Sequence, residues 1–116
     1  GSRSLIGKSA LIKKENEDCA FGAFMSIYRS DYNLFFYHVF QTDIFDKQIT
    51  QHLGATINQV TSKSLNSFVF PVPSLPEQTK IANFLSKIDA KITTVNEKIE
   101  ETKEFKKGLL QKMFCV

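Results

Sequence analysis

Hydrophobic and polar positions follow three different periods along this chain. In "SLIGKSALIKK" (4–14) apolar residues alternate loosely around Gly7, and "CAFGAFMSIYRS" (19–30) is a run of apolar and aromatic residues. The first predicts a strand or a pair of short strands around Gly7 and the second a further strand, with the polar "KKENED" (13–18) as the turn between them. In "NLFFYHVFQTDIFDKQITQHL" (33–53) the apolar positions fall at Leu34, Phe35, Tyr37, His38, Phe40, Ile44, Phe45 and Ile49. That spacing fits a helical face, with a break near Thr42–Asp43 where Thr42 caps a second turn. "GATINQVTSKSL" (54–65) is small and polar, which predicts a loop with a short helical turn towards its end. "NSFVFPVP" (66–73) predicts a strand that runs out at Pro71, because proline has no N–H for a ladder.

Prolines 71, 73 and 76 then punctuate the chain, and no further proline or glycine occurs before Gly108. Ser74 and Glu77 have the spacing of a capping box, and Pro76 sits in a first turn, where its missing N–H costs nothing. The prolines therefore end a strand and launch a helix. Ile81, Leu85, Ile88, Ile92, Val95 and Ile99 follow in steps of four and three; the register meets Thr102 and Lys106, then Leu109 and Met113. This is a coiled-coil seam. Phe84, Phe105, Leu110 and Phe114 lie beside it and widen the apolar stripe. A helix over 77–114 is on the order of 55 Å long at ~1.5 Å per residue. A globule of the preceding residues spans roughly 25 Å, so the helix is expected to project and to need a partner for its stripe. Gly108 reads as a kink or a point of close approach for a partner. The fold class predicted is α+β: a mixed strand and helix region over 1–73, then one long helix over 74–116.

Composition narrows the function more than the fold. At 42% hydrophobic and 23% charged, the 116 residues have an ordinary globular balance. No apolar run is long enough to span a membrane and the N-terminus has no signal-peptide layout, so a cytoplasmic protein is expected. Cys19 and Cys115 are far apart with no ligand spacing, and reduced thiols are expected. His38 reads as a core residue and His52 as a surface one. No Ser/His/Asp order, paired carboxylates, phosphate loop or acidic metal cluster appears, so no catalysis, cofactor or metal is expected. The net charge of +3 is mild. It permits contact with nucleic acid only through local geometry.

The stretch "FPVPSLPEQTKIANFLSKIDAKI…EKIEETKEFKKGLLQKMF" resembles the C-terminal part of type I restriction–modification specificity subunits. In that family a recognition domain ends in "P-x-P", followed by "L-x-E-Q-x-x-I-A-x-F-L-x-x-I-D", and a long helix closes with "L-K-x-x-K-x-G-L-L-Q". The matching residues are Pro71, Pro73, Leu75, Glu77, Gln78, Ile81, Ala82, Phe84, Leu85, Ile88 and Asp89, then Lys106, Lys107, Gly108, Leu109, Leu110 and Gln111. The front is similar in order: "SRSLIGKSALI" to the family's "R-G-x-I-G-K" strand, although Arg-Ser stands for Arg-Gly. "FGAFMSIYRS" is similar to its "I-R" strand, and "GATINQVTSKSLNSFVFPVP" to its "G-x-T" stretch.

The resemblance implies a subunit without catalysis of its own, whose recognition domains each read half of a bipartite DNA site. It implies long helices that pair antiparallel as spacers. These also dock the methyltransferase (modification) subunit and, through it, the restriction subunit. The chain starts where such a recognition domain is about half done, so a truncated form is expected, its helix self-paired in a two-fold dimer. Candidate DNA-facing residues are Arg3, Lys8, Lys13, Lys14 and Arg29, with Thr56, Asn58, Gln59 and Lys63 in the Gly54 loop. Lys and Arg neutralise phosphates or read guanine, and Asn and Gln pair with adenine edges. The interface residues are Ile81, Leu85, Ile88, Ile92, Val95, Ile99, Leu109 and Met113. A competing reading is a purely structural dimerising fragment that binds no DNA. A third is an inactive piece of a single-chain restriction–methyltransferase.

Overall fold

The computed structural model describes residues 5–53 and 59–114, and they are helical wherever they are regular. A 3-10 turn, Lys14–Asn16, precedes four α-helices: α1 (Asn33–Val39), α2 (Asp43–His52), α3 (Ser62–Ser67) and α4 (Leu75–Phe114). No strand occurs among the described residues, which corrects the α+β expectation. Gly1–Ala82 and Asn83–Val116 form two compact units.

The three expected strands fail for separate reasons. The stretch 4–14, described from residue 5, turns back at Gly7, whose φ is +82°, with Lys8 N donating to Leu5 O at 3.4 Å. The stretch 19–30 is cut by a turn in which Met25 N donates to Gly22 O at 3.0 Å. The stretch 66–73 opens as the last turn of α3 and becomes extended from Phe68, at φ −70° and ψ 143°. Its ladder partner, however, is a side chain. Gln48 of α2 donates from Nε2 to Val69 O at 2.8 Å and accepts at Oε1 from Val69 N at 2.7 Å. A strand is defined by backbone pairing, and here one carboxamide satisfies both groups of Val69.

The segment 33–53 divides as its pattern predicts. Thr42 works in both directions at the break: its Oγ1 donates to Val39 O of α1 at 2.6 Å and accepts from Phe45 N of α2 at 3.4 Å. Thr61 caps α3 in the same manner, accepting from Ser64 N at 3.1 Å. At the start of α4 half of the expected capping box forms. The Glu77 carboxylate accepts from Ser74 N at 3.2 Å, while the Ser74 hydroxyl donates to that same carboxylate at 3.1 Å. The first helical bond, Gln78 N to Ser74 O, is 2.9 Å.

The first unit has an aromatic core. Phe35, Phe45, Ile49 and Ala82 are its buried apolar residues among those described. Phe45 is the hub: its ring centroid lies 4.8 Å from Phe40, 5.7 Å from Phe68 and 6.1 Å from Phe70. Each such pair contributes about 0.5–1.5 kcal/mol beyond area burial. The core tethers the extended segment to α2, and Gln78 continues the tether into α4. Its Nε2 donates to Pro73 O at 2.9 Å, the residue being buried. Gln78 Oε1 is buried with no hydrogen-bond partner.

In the second unit α4 is alone. The helix runs through Gly108, where an added Cβ would meet nothing within 4 Å, so the chain makes no close approach there. Its whole length is about 60 Å at ~1.5 Å per residue, and none of its described side chains beyond Ala82 is buried.

Candidate nucleic-acid interface

Of the basic and amide residues singled out from sequence, Lys8, Lys13, Arg29 and Gln59 sit on irregular backbone, Lys14 opens the 3-10 turn and Lys63 lies in α3. Arg3, Thr56 and Asn58 lie outside the described residues. Lys8, Lys13, Lys14, Arg29, Gln59 and Lys63 are all exposed. None of the five cations forms an ion pair with another described residue, so their charge is available to an external anion.

Local hydrogen bonds hold the backbone under most of them. Lys13 N donates to Asn16 Oδ1 at 3.1 Å, which fixes the turn bearing Lys13 and Lys14. Arg29 is followed by Ser30, whose N donates to Asn33 Oδ1 at 2.7 Å and whose Oγ accepts from Tyr32 N at 2.9 Å. Lys8 follows directly on Gly7. A Cβ on Gly7 would fall 2.5 Å from Ile49 Cδ1, so only glycine lets this turn rest on α2.

One contact brings two of these groups together. Ser26 Oγ donates to Val60 O at 2.8 Å. It sets the segment leading to Arg29 against the segment carrying Gln59, with Lys63 in the first turn of α3. His52 ties the far end of the same loop. Its Nδ1 lies 2.9 Å from Gln48 O and its Nε2 3.0 Å from Ser67 Oγ, with the ring 4.9 Å from that of Phe68. The residues on either side of 54–58 are thus anchored to α2 and α3. No such contact joins Lys13 or Lys14 to that group among the described residues.

The second candidate surface is the seam of α4. Its residues are exposed: Ile88 by 41%, Ile92 and Val95 by 53% each, Ile99 by 46% and Met113 by 72%. Phe84, Phe105 and Phe114 beside it are exposed by 65–75%. Leu85 is half-buried and Leu109 is exposed.

Other chemistry is sparse. Among the described residues no cluster of three His, Cys, Asp or Glu has the placement to hold a metal ion. The open groove on the outer face of α2 is lined by Asp43, Asp46, Lys47, Thr50 and Gln51. Its two carboxylates make it a poor seat for phosphate. No helix of the described residues is long and apolar enough to cross a membrane. Sequence reasoning missed Gln48 and the anchoring role of His52. Neither lies in a motif, and their partners are 21 and 15 residues away.

Comparison with known proteins matches residues 1–104 to a family model described as the type I restriction modification DNA specificity domain. The type I restriction enzyme EcoKI specificity subunit of Escherichia coli is 30% identical over 115 residues, covering 96% of this chain and 25% of that protein. The StySPI specificity subunit of Salmonella potsdam is likewise 30% identical over 115 residues, with the same coverage. The MjaVIII specificity subunit of Methanocaldococcus jannaschii is 38% identical over 65 residues, 56% of this chain and 15% of that protein. The chain therefore spans a quarter or less of the length of these relatives. No solved structure matches.

Proposed function

Because the chain belongs to the type I restriction modification DNA specificity family, we propose that it is a DNA-recognition and assembly module with no catalytic step of its own. In this reading residues 1–73 carry DNA contact, and residues 74–116 pair with another copy or dock a methyltransferase subunit, and through it a restriction subunit. What supports the assembly role is the exposed seam of α4, an apolar stripe broken only at Thr102 and Lys106.

The DNA role is supported by exposed cations on anchored turns. Lys8, Lys13, Lys14, Arg29 and Lys63 act by neutralising phosphates, and Thr56, Asn58 and Gln59 by hydrogen bonding to base edges in the major groove. Arg3 adds a further cation at the start. The test is duplex binding over a salt series. Contacts to several phosphates make affinity fall by about tenfold or more between 50 and 200 mM salt. Binding that is absent at low salt, or indifferent to salt, would overturn the DNA role and leave the second reading, a dimerising fragment alone. That reading draws support from the seam, which accounts for self-association without any nucleic acid.

A further inference from the structure

Lys87, Lys91 and Lys98 fall within about 40° of one another around α4, at ~100° per residue. All three are exposed. The acids of the same stretch, Asp89, Glu97, Glu100, Glu101 and Glu104, fall on a different arc, centred about 120° away at ~100° per residue. A solvated helix gains by interleaving opposite charges at i,i+3 or i,i+4; here they are sorted. Lys98 and Glu101 have the spacing to pair, yet the ion pair that α4 makes among the described residues is Lys103 with Glu100, at 2.9 Å. None of the three lysines enters an ion pair with another described residue.

The row is about 17 Å long at ~1.5 Å per residue. Thr94 stands within it, its hydroxyl donating back to Ala90 O at 3.0 Å. From Lys87 to Lys98 the row holds no aromatic residue and no arginine. The centre of a protein–protein interface favours those residues and is depleted in lysine. Phosphate asks only for point charges on flexible stems. A duplex offers one such charge per ~1.7 Å of its axis, whatever its base sequence. The row also stands beside the seam rather than in it. A partner on the seam covers the lysine stems and leaves their charged ends in water.

We propose that Lys87, Lys91 and Lys98 form a phosphate-binding ridge on α4 that contacts duplex DNA without reading its sequence. This rests on the DNA-recognition reading of the chain, and it gives the helix a second task besides assembly. The test is binding of the full chain to two labelled duplexes of unrelated sequence over a salt series. The parent is compared with the triple variant Lys87→Gln, Lys91→Gln, Lys98→Gln and with the same three positions changed to Arg. The Gln variant should lower the slope of log affinity against log salt by about 2.7 on both duplexes, about 0.9 for each phosphate released. The Arg variant should keep the parental slope. An unchanged slope in the Gln variant overturns the ridge, leaves the DNA role of the first unit standing, and makes an acidic protein surface the counterpart of the row. An equal loss in the Arg variant also overturns it, because the charge is kept there. A loss on one duplex only overturns the indifference to sequence. The mass of the Gln variant by light scattering should equal that of the parent; a changed mass assigns the lysines to assembly and overturns the ridge. A parent that binds neither duplex removes the DNA reading itself, and the proposal with it.

Discussion

Gly7, Gln48 and Phe45 hold the first unit together, and each makes a different kind of demand on the side chain. Gly7→Ala introduces a Cβ at a positive φ and against Ile49, so it should cost about 1–3 kcal/mol, read as a lower denaturation midpoint with an unchanged slope. Gln48→Ala removes both hydrogen bonds to Val69 and should cost about 2 kcal/mol. Gln48→Glu keeps the acceptor but turns a carboxylate towards Val69 O, so it should not rescue. Phe45→Ala empties the hub of the aromatic core and should cost about 3–5 kcal/mol. That is a large share of the roughly 5–15 kcal/mol typical of a domain. Phe45 was legible in the sequence, because helical spacing marks a core face. Gln48 was not: a glutamine on a polar face carries no sign that its amide stands in for a strand.

The helices were more legible than the extended segments. A helix closes its hydrogen bonds within itself, so local spacing and caps are sufficient to place it. Thr42 between α1 and α2, and the proline-to-glutamate launch of α4, both fall where the pattern puts them. A strand needs a distant partner that no local pattern supplies. The runs around Gly7 and Gly22 had the composition of strands, yet each folds into a turn. Thr42→Ala should weaken the α1–α2 junction by about 1 kcal/mol, seen as a lower midpoint in thermal unfolding followed by circular dichroism. On α4, Ile88→Asp with Ile92→Asp puts two charges into the seam. If the seam pairs two copies, light scattering behind a sizing column should then give a mass near 13.2 kDa for the variant and twice that for the parent. A parent and variant of equal dimer affinity would remove the seam as the contact.

For the whole molecule, the family was legible in the order of short motifs, and most securely in the stretch from Pro71 to Gln111. The individual residues proposed to face DNA were not, since an exposed lysine looks the same whether it serves solubility or phosphate. Replacing Lys13, Lys14 and Arg29 together by alanine should reduce the slope of log affinity against log salt by about 0.9 for each phosphate that is no longer neutralised. Fluorescence anisotropy of a labelled duplex measures it. The carboxamide of Gln48 also has a kinetic consequence. The acceptor of the Val69 amide belongs to α2, 21 residues earlier in the chain. Its hydrogen should therefore exchange with deuterium when the Gln48 side chain swings away or α2 itself opens. The approach to α4 is thus clasped by a helix to which it does not belong, and Gln48→Ala should quicken exchange at that one backbone position.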